Sequence, residues 1–261
     1  AECGRAEATI VVPARPAPVS LPMPPPVCLP PAGVRPGHSA VRETRHGTLM
    51  FQPDAGDAGR ALLWYGEWLQ SQLDLVLRLL RPGATVVEVD AGVGMHAVRV
   101  AATVGPQGHL IAVEADPVRR AILRENMRTH RHRHVTILGA FSGARDAAST
   151  AHAGASGSGR VDDLQLERLD CLKVNGAAAA EVLRGAHETA WRLRPLVCVC
   201  AVDAGDRARA LPALQALGYR CWAVEAALFN PHNFAGRSED VFAGRSSFAI
   251  VAIPGEQDVP V

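Results

Sequence analysis

The run Val86-Val87-Glu88-Val89-Asp90-Ala91-Gly92-Val93-Gly94 constrains this chain more than any other stretch. Buried-strand residues break directly into a turn holding two glycines, and a helical pattern follows. A strand that stops at glycines before a helix is the opening unit of an open parallel sheet, whose ligands bind at the carboxyl ends of the strands. Glycine lets the backbone approach a ligand and adopt positive φ. Glu114 lies twenty residues beyond Gly94, at the end of the next strand. A carboxylate there can accept hydrogen bonds from both hydroxyls of an adenosine ribose.

Around that unit, strands and helices alternate. Residues 85–89, 109–113, 134–138, 169–174, 195–202, 219–225 and 247–253 read as strands, and 93–104, 117–129, 178–193 and 206–217 as helices. Pro117 suits the first turn of its helix. The last two strands, with no obvious helix between them, read as an antiparallel hairpin at one edge. The expected fold is α/β: a doubly wound sheet of seven strands, mostly parallel, with an antiparallel final strand. Upstream, the spacing of Leu62, Leu63, Leu69, Leu73, Val76, Leu77 and Leu80 predicts a helical stretch over 59–80 that Gly66 interrupts and Arg81-Pro82-Gly83 ends.

The N-terminal stretch is of another composition. Ten of the nineteen prolines fall between Pro13 and Pro36. Proline removes backbone donors and fixes φ, so residues 1–37 are expected to be a disordered or polyproline-like arm, a tether or a docking peptide for a protein partner. The chain then divides into that arm, an N-terminal helical lead-in over 38–84, and a catalytic-type domain over 85–255.

Charge excludes some functions. With 27 basic and 26 acidic residues and a net charge of +1, there is no electrostatic case for nucleic acid. No apolar run approaches the ~18 residues of a membrane span. Six cysteines lack CxxC spacing, and Cys198 and Cys200 share one face of a strand. Free buried thiols and a cytoplasmic location are expected, and no signal-peptide pattern is visible. His130, His132 and His134 alternate with Arg131 and Arg133, which reads as a solvated basic connection; no metal site is expected. Without a G-x-S-x-G motif or an ordered Ser/His/Asp set, hydrolase chemistry has no support.

The loop also discriminates between adenosine cofactors. A dinucleotide site normally shows G-x-G-x-x-G or G-x-G-x-x-A, for close approach to a pyrophosphate. Here Asp90 takes the first glycine position and Glu88 adds a second carboxylate. Two anions disfavour a pyrophosphate but suit a ligand bearing an ammonium and a sulfonium. S-adenosylmethionine is the expected cofactor.

These residues resemble the FkbM family of class I S-adenosylmethionine-dependent methyltransferases. The resemblance is carried by Arg45 to Phe51, Gly59-Arg60, Tyr65-Gly66-Glu67-Trp68, Glu88 to Gly94, Val113 to Pro117 and Leu123-Arg124-Glu125-Asn126. It continues through Val161 to Leu164, Asp170 to Lys173, Glu181 to Ala186 and Leu228 to Phe234, and so spans about Arg45 to Pro254. It implies a Rossmann-like sheet and O-methylation of a hydroxyl on a sugar or on another small or polymer-linked metabolite. It also implies a cofactor site of Glu88, Asp90, Ala91, Gly92, Gly94 and Glu114, with adenine near Ala115 and the Gly139-Ala140-Phe141 turn. Glu67 and His96 read equally as further cofactor contacts and as, respectively, an amphipathic-helix residue touching solvent and a satisfied helix-terminal histidine.

Two departures fall on functional positions. The family loop usually reads Asp/Glu-x-Gly-Ala-Asn-x-Gly, and here Asp90 and Gly92 replace its first Gly and its Asn. After the fourth strand the family typically reads Lys-Ile-Asp-Val-Glu-Gly-x-Glu. Here the run is Lys173-Val174-Asn175-Gly176-Ala177-Ala178-Ala179-Ala180-Glu181. Lys173 and Asn175 are expected to border the acceptor pocket as catalytic residues. Asp90, Glu67 and His232 are the only substitutes on offer for the missing carboxylates. The competing expectation is a catalytically impaired domain that binds the cofactor or serves as a scaffold.

Overall fold

The computed structural model describes residues 9–11, 38–139, 160–176 and 179–257. Ten strands and seven α-helices occur among them: β1 (Thr9–Val11), β2 (Ala40–Thr44), β3 (Gly47–Phe51), α1 (Gly56–Tyr65), α2 (Gln70–Leu79), β4 (Thr85–Val89), α3 (Ala97–Val104), β5 (His109–Val113), α4 (Pro117–Thr129), β6 (Val135–Leu138), β7 (Cys171–Asn175), α5 (Ala179–Arg184), α6 (His187–Leu193), β8 (Leu196–Val202), α7 (Ala204–Ala216), β9 (Tyr219–Ala227) and β10 (Ser246–Pro254). The main sheet runs β1-β9-β10-β8-β7-β4-β5-β6. Within it β10 is antiparallel to both β8 and β9, and the other pairings are parallel. The doubly wound seven-stranded sheet with an antiparallel final strand is therefore present, with β10 inserted between β8 and β9.

Two features correct the sequence reading. Thr9–Val11 pairs in parallel with β9 as an eighth, outer strand. These β-branched residues precede the first proline, so the argument against structure does not reach them. The rest of the proline-rich arm lies outside the described residues, as do Ala140 and Phe141. Second, the lead-in over 38–84 is not only helical: β2 and β3 form a separate antiparallel hairpin turning at Arg45-His46. The helical stretch over 59–80 is interrupted at Gly66, as expected: α1 ends there (φ 67°) and α2 starts after Leu69 (φ 45°). Among the described residues, no helix is long and apolar enough to cross a membrane.

Strand periodicity of two assigns each residue to a face. Val86, Leu110, Ala112, Cys171, Cys198 and Cys200 join one core with residues of α2, α3 and α4. Val87, Val89, Ile111, Leu172, Val174, Val197 and Val199 join the other with α5, α6 and α7. Glu88 and Lys173 share the parity of the first set and stand side by side in register on β4 and β7. The thiols of Cys171, Cys198 and Cys200 are free and buried, as their spacing predicts.

Capping explains the helix bounds. The Asp116 carboxylate accepts from the N–H groups of Val118 and Arg119, with Pro117 at the first position of α4. At the other end His132 N–H reaches Met127 O at 3.0 Å across Arg131, whose φ is 58°. That is a Schellman turn with arginine where glycine is favoured. The helix predicted from Val93 begins only at Ala97, because Gly92 (φ 58°) and Gly94 (φ 89°) hold the chain in a loop.

Candidate functional site

Strand order reverses at β4: β5 and β6 lie to one side and β7 to the other. The crevice between the carboxyl ends of β4 and β7 is the topological switch point, where open α/β sheets bind ligands. Asp90 (φ 58°) leaves β4 there and Gly176 (φ 77°) leaves β7. Asp90 Oδ2 lies 3.1 Å from where a β-carbon on Gly176 would stand, so only glycine fits opposite this carboxylate without displacement.

On the β5 side, Glu114 is fully buried at the end of its strand. Its Oε2 accepts from Gly92 N–H at 2.7 Å and its Oε1 from Asp116 N–H at 2.8 Å. Arg119 closes the arrangement, with a guanidinium nitrogen 3.0 Å from Glu114 Oε1 and 3.9 Å from Asp90 Oδ1. Burial pushes the Glu114 carboxyl above its ordinary value, and Asp90 adds to this; the N–H of Asp116 and the Arg119 charge oppose it. Gly92, Glu114 and Asp90 are thus brought together as the sequence predicts, and Ala91 is anchored by its N–H to Val113 O at 3.0 Å. A β-carbon on Gly92 would meet nothing within 4 Å, so the loop opens onto free space there. One on Gly94 would lie 2.5 Å from Leu123 Cδ1, so Gly94 serves close packing of the loop on α4.

On the β7 side, charge is turned inward. Lys173 Nζ donates to Glu88 Oε1 at 2.8 Å and to Asn175 Oδ1 at 2.6 Å, and lies 3.2 Å from His96 Nδ1. Lys173 and Glu88 are both fully buried. Burial pulls the Lys173 ammonium down, but the Glu88 carboxylate beside it prevails and holds it above its ordinary value. Burial, reinforced by the Lys173 charge, drives the His96 imidazole well below its usual range, so it is neutral. With Nε2–H donated to Trp68 O at 2.9 Å, Nδ1 is left as the acceptor for Lys173. Asn175 donates Nδ2–H to Glu88 Oε1 at 3.0 Å and to Asp90 O at 3.1 Å. Among the described residues, Glu88 Oε2 alone in this network has no partner.

Five expectations need correction. Glu88 and His96 do not face a cofactor: both are buried and turned to Lys173, His96 also to Trp68 O. Lys173 does not border an acceptor pocket; it lies under Asn175 as a fixed countercharge to Glu88. Asn175 sits at the crevice but directs all its hydrogen-bonding groups to Lys173, Glu88 and the Asp90 backbone. Glu67 is engaged elsewhere: Arg45 Nε, Phe234 N–H (2.8 Å) and Asn230 Nδ2 (2.7 Å) donate to it, stitching the β2–β3 turn to the β9–β10 loop. Its neighbour Trp68, not Glu67 itself, contacts the helix that follows the glycine loop. Ala115 is exposed and Gly139 half-buried beside the same strand ends. His232 is exposed, with its carbonyl taken by Arg45.

Two residues escaped the sequence reading of roles. Arg119 faces Glu114 from the first turn of α4, a placement visible only once the Asp116 cap fixes where that helix starts. Asn126, quoted only as part of a resemblance, is 2% exposed and makes three bonds: from Met50 N–H, and to Met50 O and Val93 O. It ties the hairpin to the glycine loop. A buried asparagine amid apolar helix positions was the available signal.

Comparison with known proteins decides the fold. The chain is 19% identical to a precorrin-6y C5,15-methyltransferase from Geobacter metallireducens, with a TM-score of 0.50 over 71% of this chain and 86% of that one. It is 16% identical to a precorrin 8w decarboxylase from Methanobacterium thermoautotrophicum, with a TM-score of 0.51 over 72% and 90%. The fold is that of the class I methyltransferases. In sequence, 59 residues are 41% identical to a protein-L-isoaspartate O-methyltransferase of Methanothrix thermoacetophila and 39% identical to that of Ignicoccus hospitalis. The match spans 23% of this chain and 28% of those enzymes. No family model matches the chain.

Proposed function

We propose that this protein is an S-adenosylmethionine-dependent methyltransferase that methylates a hydroxyl on a sugar or on another small or polymer-linked metabolite, as its FkbM-like motifs imply. The observation that carries the reading is the pairing of Gly92 N–H with the buried Glu114 carboxylate at the switch point. The residues present fit the cofactor. The loop opens at Gly92, Glu114 can accept from vicinal hydroxyls where Arg119 now sits, and the exposed Asp90 carboxylate supplies the negative charge at the methionine end of the crevice, Glu88 being neutralised by Lys173. Bound there, the cofactor supplies an electrophilic methyl group on a sulfonium. Ala115, Gly139 and Ala140 are assigned to the adenine.

Arg119 would release Glu114 Oε1 and stay near Asp90, keeping the displaced guanidinium paired. Lys173, His96 and Asn175 act as positioning residues: they fix Glu88 and, through Asp90 O, the exit of β4. Transfer to a hydroxyl can rest largely on in-line positioning. Asp90 is the carboxylate nearest the crevice that remains solvent-accessible, with a side chain 46% exposed, and is the candidate to take the hydroxyl proton.

Calorimetry with S-adenosylmethionine tests the reading. Glu114→Ala should weaken binding by about 1.5–3 kcal/mol, the range for hydrogen bonds to a charged acceptor. No binding to the wild type, or no loss in the variant, would refute the assignment. A second reading, a domain that binds the cofactor without transferring from it, is favoured by the inward commitment of Asn175. Labelled cofactor incubated with fractionated metabolites and glycans separates the two: label transfer that vanishes in Glu114→Ala identifies the enzyme, and binding without transfer identifies the scaffold.

A further inference from the structure

The far end of α4 carries a second cavity, of about 510 Å³, that the methyl-transfer reading does not use. Its rim holds four arginines, Arg124, Arg128, Arg131 and Arg133, all exposed. Its floor is apolar: Met127 from α4, with Val135 and Ile137 from β6, the outermost strand on that side of the sheet. Arg128 pairs with Glu125 at 2.8 Å. Among the described residues no carboxylate pairs with Arg124, Arg131 or Arg133. From Asn126 to Arg145 the sequence holds no Asp or Glu, so Glu125 is the one local carboxylate against four guanidinium groups. Arg131 also stands in the left-handed position of a helix-ending turn, where glycine is favoured on backbone grounds alone.

A neutral chain with one concentrated guanidinium rim over an apolar floor has the chemistry of an organophosphate site. Guanidinium groups bind phosphate in bidentate fashion, and a floor of Met, Val and Ile takes a ring. The volume falls within the range of small-molecule pockets. We propose that this cavity binds a phosphorylated small molecule bearing a flat or apolar ring, a nucleoside diphosphate being the simplest such ligand. The site is separate from the crevice. Arg119 and Arg131 lie at opposite ends of the helix, and thirteen residues of α-helix span about 20 Å.

The test uses the full chain, with S-adenosylhomocysteine at saturation to block the crevice, and uridine diphosphate, pyrophosphate and a single-stranded RNA 20-mer as probes in titration calorimetry at low and moderate salt. Uridine diphosphate should bind saturably, one per chain, and more tightly than pyrophosphate. Arg131→Gly and Arg133→Gln should each weaken it roughly tenfold, the scale of one charge-assisted contact. Arg131→Gly suits the observed backbone, so its circular dichroism should match the wild type, and loss of binding then reports the guanidinium rather than misfolding. The proposal is overturned by the absence of saturable binding in the millimolar range. It is overturned equally by affinity unchanged in both variants, by pyrophosphate binding as tightly as the nucleotide, or by RNA binding with steep salt dependence while the nucleotide does not bind.

Discussion

The two walls of the crevice handle charge in opposite ways. On the β5 wall, Glu114 is held by backbone N–H groups and by Arg119, whose side chain is 39% exposed and free to be replaced by another donor. On the β7 wall, Lys173, Glu88, His96 and Asn175 satisfy one another in the protein interior. Under the proposed function the first wall exchanges Arg119 for a ligand, while the second holds its geometry unchanged. Removing a side chain should therefore alter binding on one wall and stability on the other.

The largest effect is expected from Lys173→Met. Removing one partner of a buried ion pair leaves the other charge unpaired, at a cost of about 3–5 kcal/mol. Urea unfolding should show that loss, and adding Glu88→Leu should recover much of it, since apolar replacement of both partners is often neutral. A loss below about 1 kcal/mol would mean that water or a ligand group reaches Glu88, and the contrast between the walls would fail.

Next comes Asn175→Asp, the change that would introduce the carboxylate found at this place in the FkbM motif that the run resembles. From sequence, Asn175 is a near-isosteric stand-in for Asp. In the structure its amide N–H groups face Glu88 Oε1 and Asp90 O, and a carboxylate has no proton to give either. The variant should lose about 1–3 kcal/mol at neutral pH, the penalty of unmade buried bonds, with partial recovery in acid as the new carboxyl protonates. Equal stability together with increased methyl transfer would show that the β7 wall can face substrate after all.

That contrast also marks how far the sequence could be read. The strand order, the glycine loop and the place of Glu114 follow from local rules: β-branched runs, glycine turns and a carboxylate at a strand end. The roles of Glu67, Lys173 and Asn175 do not, because each depends on what lies across from it. Lys173 meets Glu88 only because β7 pairs with β4 in that register, and Glu67 meets Asn230 and Phe234 only when a loop 163 residues away folds back. The β2–β3 hairpin was hidden for a related reason: its two-residue turn, Arg45-His46, lacks the usual Asn-Gly signal.

A third effect is a pH dependence. His96 is neutral in the folded chain, while its unfolded counterpart titrates near the ordinary 6.5. The unfolded state binds the extra proton below that value, so stability is fully present above pH 6.5 and is lost as pH falls toward the depressed folded value. His46 and His132 are also lowered by burial and act in the same direction. Glu114, raised by burial, acts in the opposite one. His96→Gln keeps an acceptor for Lys173 and a donor for Trp68 O but does not titrate. Its unfolding free energy should fall less steeply between pH 6.5 and 5 than that of the wild type, by up to about 1.4 kcal/mol per pH unit. Parallel curves for the two proteins would mean that His96 is charged in the folded state.

Asp90→Gly should have the smallest effect on stability and is the sharpest test of the exchangeable wall. Asp90 holds φ 58°, which costs a non-glycine residue about 1–2 kcal/mol, somewhat less for Asp. Glycine relieves that cost but removes the pair with Arg119, which at 3.9 Å between half-exposed groups contributes at most about 1 kcal/mol. The two nearly cancel, so urea midpoints should move little. Affinity should move more. If the carboxylate attracts the ammonium of the cofactor, the variant binds S-adenosylmethionine about threefold more weakly, the scale of a partly exposed ion pair, and the difference shrinks at high salt. If instead it repels the cofactor's carboxylate, affinity rises at low salt. Calorimetry at two ionic strengths distinguishes these signs, and an affinity that rises would remove Asp90 from the binding role while leaving Glu114 in place.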